Sequence, residues 1–109
     1  MADYTVAVGG IGKYELPLTA NTESTVTFGG GTADPTYVNL GRVEVKCLSG
    51  TAPVYFRFGS GAATVKGDNC WDVHPGTAVV VQVGGFGPGD TVVRLISAAD
   101  AVVSVSNGG

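Results

Sequence analysis

The sequence predicts an all-β fold: a single β-sandwich or jelly-roll-like domain of about eight or nine short antiparallel strands. Three observations carry this prediction. The 109 residues include 18 Val and 18 Gly and little of the Ala, Leu, Glu and Lys mixture that builds helices. Turn signals recur at short intervals, at Gly9-Gly10, Ala20-Asn21, 29–31, Asp34-Pro35, Ser49-Gly50, 59–61, Asp68-Asn69, Pro75-Gly76 and 84–90. The segments between them alternate apolar and polar residues with the period of a strand. A chain of this length supports one hydrophobic core, so residues 1–109 are read as one domain.

The elements follow in order. The first strand is expected near 4–8, where Tyr4 and Val6 lie within a possible N-terminal contact arm spanning 1–12. Strands near 13–18 and 23–29 follow, then the Gly-rich loop 29–35. Within the next segment, 38–48, Val43, Val45 and Cys47 fall on one face while Glu44 and Lys46 fall on the other, the mark of a half-buried strand. Residues 53–58 repeat the scheme, with Val54, Phe56 and Phe58 opposite Tyr55 and Arg57, and 49–53 forms the connection. Further strands are expected near 63–66, 77–83, 91–97 and 101–106.

The alternation breaks at Val79-Val80-Val81, Val92-Val93, Leu95-Ile96 and Val102-Val103, which place apolar groups on both faces of their strands. A second apolar face needs a cover: a barrel-like closure, a loop, or a neighbouring subunit, of which the neighbour is favoured here. The loop 84–90 carries Phe86 and Pro88, which suit a contact arm as well as a lid on the core. Trp71 suits a core edge or an interface. The candidate interface is therefore Tyr4, Val6, Trp71, Val80, Phe86, Pro88, Val92 and Ile96. Glu44, Lys46, Arg57 and Arg94, on outward faces, are expected to pair across strands.

Composition narrows the function. The positive hydropathy argues for a folded chain. Six Lys and Arg against nine Asp and Glu give a net charge of −3, and the basic residues are scattered, which offers no surface to nucleic acid. No apolar run of about 18 residues is present for a membrane span, and the first residues lack a secretory pattern, so a chain made in a cytoplasm is expected. Cys47 and Cys70 are too few for a disulfide framework and are expected to be reduced.

No chemistry-bearing constellation is complete. Cys70, Asp72 and His74 stand close in sequence, but two distant cysteines and a single histidine fall short of a four-ligand zinc set. A Cys70 nucleophile would need His74 in reach and an oxyanion site. The glycines do not open a helix as a phosphate loop requires, and no Gly-x-Ser-x-Gly elbow occurs. No catalytic residue, metal or cofactor is assigned, and an enzyme is not expected.

Three stretches suggest relatives. Thr51-Ala-Pro-Val-Tyr-Phe-Arg-Phe-Gly59 precedes Val73-His-Pro-Gly-Thr-Ala-Val79, and Val93-Arg-Leu-Ile-Ser97 with Val102-Val-Ser-Val105 closes the pattern. This order, over roughly residues 40–106, resembles small structural proteins of tailed bacteriophage particles. The resemblance implies a virion component made in the host cytoplasm, of head decoration or capsid cement type, binding the major capsid protein lattice on the outer surface of the capsid. It implies a homo-oligomer, with a trimer preferred, and a final hairpin. The competing expectation is a carbohydrate- or ligand-binding module of a tail or adhesin assembly, which would present an aromatic patch that includes Trp71.

Overall fold

Val-rich alternation produces nine strands in the computed structural model, which describes residues 3–6, 12–28, 42–59, 61–67, 69–82 and 91–107. They are β1 (Asp3–Val6), β2 (Gly12–Leu18), β3 (Ser24–Phe28), β4 (Arg42–Gly50), β5 (Val54–Phe58), β6 (Trp71–Val73), β7 (Ala78–Gln82), β8 (Thr91–Ser97) and β9 (Ala101–Asn107). The described residues contain no helix. Two sheets pack face to face. One has the order β1-β3-β8-β5-β6 and the other β2-β9-β4-β7.

The two alternating segments behave as their pattern requires. Val43, Val45 and Cys47 are buried while Glu44 and Lys46 face outward, and Val54, Phe56 and Phe58 are buried while Tyr55 and Arg57 are half-exposed. Val26, Phe28, Val93 and Leu95 from the first sheet meet Leu16, Leu18, Val103 and Val105 from the second, forming one continuous core. Fully burying a side chain of this size contributes roughly 1.5–3 kcal/mol, so this layer is what holds the two sheets together.

Strand order departs from a simple meander. Of the eight connections, only β5 to β6 stays within one sheet; the other seven cross between sheets. Residues 51–53 thus turn a corner between layers and do not close a hairpin. The final hairpin implied by the resemblance is also absent, since β8 and β9 lie in different sheets, with β9 between β2 and β4. Strand β1 runs parallel to β3, against the all-antiparallel expectation. The cause is topological: the chain visits the opposite sheet as β2 and returns, and such a crossover sets neighbouring strands parallel.

One expected strand is replaced by another. Residues 63–66 form no ladder: the Gly67 N–H donates to the Thr64 carbonyl (3.0 Å), and Lys66 sits at φ +58°. The sixth strand is instead Trp71–Val73, paired antiparallel with β5. The arm expected over 1–12 is also altered. Residues 3–6 are docked on β3, with Thr25 Oγ1 donating to Asp3 Oδ1 (2.7 Å), and Gly12 begins β2; residues 1–2 and 7–11 lie outside the described residues.

Candidate interaction surfaces

Each open flank of the sandwich is finished differently. On one flank the edge strands β6 and β7 are joined by a tight turn. Pro75 pre-sets the first central position, Gly76 takes the second at φ +81°, and the His74 carbonyl accepts from the Thr77 N–H (3.0 Å) and hydroxyl (2.8 Å). Trp71 lies opposite Phe56 in the ladder, so its ring turns toward the interior. It stacks on Phe56 (centroids 5.8 Å) and meets Phe58 edge-on (5.6 Å), yet remains 44% exposed. Trp71 is thus a lid on the edge of the core with one part left to solvent.

The outer face of the first sheet is partly covered by the chain itself. Arg94 and Arg57 are directly opposed in the β8–β5 ladder, a like-charge pair that needs compensation. Glu23, just ahead of β3, provides it. Its Oε1 lies 2.9 Å from Arg94 Nη1, and its Oε2 accepts the Ala63 N–H at 2.6 Å. Arg94 Nε also donates to the Gly59 carbonyl (2.6 Å). One mostly buried carboxylate thereby fastens the loop between β5 and β6 over the sheet, and Ala63 is buried beneath it. Arg57 has no such partner among the described residues: its Nε is buried without a hydrogen bond, and its guanidinium lies against Gly61.

On the outer face of the second sheet, Tyr14 is 70% and Val80 51% exposed. A β-bulge between Lys13 and Leu16 carries Glu15 at φ +55° and brings Tyr14 beside an open depression of about 370 Å³, lined also by Gly12, Lys13, Lys46, Ser104 and Ser106. Lys46 pairs along its own strand with Glu44 (3.5 Å), not across strands. Val80 stands at the middle of β7, which among the described residues pairs with β4 alone, in an unbroken register.

The expected interface residues do not form one patch. Val92 and Ile96 lie half-buried on the outer face of the first sheet, Val80 belongs to the second, and Trp71 lies on the flank between them. Val6 is a core residue, 5% exposed, and so offers no contact surface; the pattern of β1 misleads because both faces of this short strand look usable in sequence. Tyr4 is half-buried and packs against the same core. Phe86 and Pro88, with the loops 29–35 and 84–90, lie outside the described residues. Glu23 fastens the local architecture and is marked by no motif in the sequence.

The Cys70, Asp72 and His74 grouping resolves into separate roles. Asp72 Oδ2 lies 3.1 Å from His74 Nε2, both largely exposed. Both cysteines are free thiols, Cys47 buried and Cys70 half-buried. Burial raises the Cys47 pKa, opposed in part by a hydrogen bond from the Ser49 backbone that favours the thiolate. The Cys47 Sγ–H itself donates to the Ser49 carbonyl (3.6 Å). Among the described residues no three His, Cys, Asp or Glu side chains are grouped as a metal site would require. No family model, curated protein or solved structure matches the chain, so the likeness to phage structural proteins rests on the three sequence stretches.

Proposed function

We propose that this chain is a non-enzymatic structural protein of a bacteriophage particle, a decoration protein that binds the major capsid protein lattice from outside. The observation that carries the proposal is the second sheet, which keeps exposed Val80 and Tyr14 on its outer face although the core is already closed by the other side of the same strands. Exposed apolar and aromatic side chains on a sheet face that the core does not use are available to a partner's surface. A protein that binds the assembled lattice and not its free subunits stabilises the particle by mass action, and many weak contacts then act together.

The test is quantitative mass spectrometry of purified particles. A copy number equal to the shell protein, or a simple fraction of it, supports decoration and points to a symmetry axis. A few copies per particle would move the protein to the tail, and complete absence would overturn the proposal.

A second proposal, a saccharide-binding module, is favoured by a different observation: Tyr14 stands beside a depression that also offers two lysines and two serines. Aromatic stacking with flanking hydroxyl and ammonium groups suits a sugar. It predicts saturable glycan binding that Tyr14→Ala abolishes, and no requirement for Trp71.

A further inference from the structure

Among the described residues each sheet of the sandwich has two edges, and three of the four are blunted against adding another strand. Strand β1 has four residues and begins with Asp3; β6 has three and carries exposed Asp72; β2 contains Pro17, which lacks an N–H, and the bulge at Glu15. Short length, charge, proline and bulges are the devices that keep edges from pairing. Strand β7 has none of them. Ala78–Gln82 is five residues of Ala, Val and Gln, uncharged and regular.

The direction of its backbone groups that have no ladder partner among the described residues follows from the β4 pairing. Cys47 N–H donates to the Thr77 carbonyl (3.1 Å), so alternation turns the groups of Thr77, Val79 and Val81 toward β4. Those of Ala78, Val80 and Gln82 face outward. These three residues are spaced symmetrically about Val80. A second copy laid antiparallel with Val80 opposite its own Val80 sets Ala78 opposite Gln82 on both sides, and each outward N–H and C=O then finds a partner. The same two-fold register brings the two exposed Val80 side chains together.

Charge permits this pairing despite the net negative chain. On the strands flanking the seam, Glu44 and its copy would be three strand spacings apart, about 14 Å. That exceeds the Debye length of about 8 Å at physiological salt.

We infer that β7 is a homodimerisation edge, joining two copies through an antiparallel β7–β7 ladder with its two-fold axis at Val80. The contact is independent of any particle, so it stands or falls separately from the decoration proposal. It also gives a two-fold in place of the three-fold association that the resemblance implies. A ladder of five residues is small beside a standard interface, so the dimer is weak and concentration-dependent.

The experiment is sedimentation velocity on the purified chain over a wide concentration range, with Val80→Lys and Val80→Glu variants, whose folding is checked by circular dichroism. The wild type is expected to shift from the 10.9 kDa monomer toward twice that mass. Each variant alone is expected to dimerise at least about tenfold more weakly, because like charges then stand opposite one another. Mixing the two variants is expected to restore a dimer, since the two-fold places residue 80 of one copy against residue 80 of the other. A wild type that stays monomeric at every concentration overturns the inference, as does a dimer indifferent to both substitutions or a mixture that remains monomeric.

Discussion

Glu23 does more than any other single carboxylate in the described structure, holding Arg94 and the Ala63 N–H at once. Replacing Glu23 by Ala is expected to lower the unfolding free energy by about 2–4 kcal/mol, because two charge-assisted bonds are lost and a partly buried cation is left uncompensated. Glu23→Gln should cost less, since an amide oxygen can still accept from Ala63. Urea unfolding of both variants measures this, and a loss below about 0.5 kcal/mol for the alanine variant would mean that the loop is held by something else. None of this was legible in the sequence. Alternation tells which way Arg94 points, but not which distant loop returns to meet it.

The thiols give a second prediction at the same scale. A thiol reagent at neutral pH is expected to modify Cys70 in the folded protein and to reach Cys47 only on unfolding. Because burial raises the folded Cys47 pKa, the folded state keeps this proton to higher pH than the unfolded chain does. The resulting contribution to stability is complete below the ordinary thiol value of about 8.5 and is lost as pH rises through the raised folded value. Wild type should therefore lose stability relative to Cys47→Ala as pH climbs above that range, measured by denaturant titration at each pH.

Among the elements, the strands with the cleanest alternation were the most legible. Strands β4 and β5 bury the residues their pattern predicts because inward and outward sets differ sharply in polarity. Strand β6 was illegible for the opposite reason: Trp-Asp-Val is too short to show a period, and its ladder with β5 depends on the Pro75-Gly76 turn that follows and on the Trp71 stack over Phe56. Strand β2 carries a constraint visible only in three dimensions. A Cβ at Gly12 would overlap the Val105 carbonyl oxygen and lie 2.6 Å from Ser106 Cα, both backbone atoms of β9 that have no side-chain freedom to yield. Gly12→Ala should therefore destabilise by about 1–3 kcal/mol, as overpacking does, and loosen the β2–β9 ladder ahead of the rest in hydrogen exchange. Equal exchange rates in the variant and the wild type would contradict this.

For the whole molecule, composition was enough to give the all-β sandwich, while strand order was beyond it. Sheet membership switches at seven of eight connections, and each switch depends on how a loop crosses the core, which local pattern does not encode. The same topology makes nearly every ladder non-local. Refolding is therefore expected on the milliseconds-to-seconds scale typical of such sheets, and stopped-flow tryptophan fluorescence from Trp71 reads it directly. Complete refolding within about 100 μs would be incompatible with this dependence on distant pairings.

The position of the eighth and ninth strands has a consequence for the order of events at the ribosome. Strand β8 lies at the centre of the first sheet and β9 inside the second, yet both are synthesised after the other seven. Until they emerge, the nascent chain can form β1 with β3, β5 with β6, and β4 with β7, leaving β2 without a neighbour. Two-stranded ladders of this kind are marginal in water. Neither sheet can close before β8 is made, and for that interval the uncharged edge of β7 is exposed on a chain that has not yet acquired a core. The protein is thus committed to folding late and all at once, and a pause in translation before β8 would prolong its most aggregation-prone state.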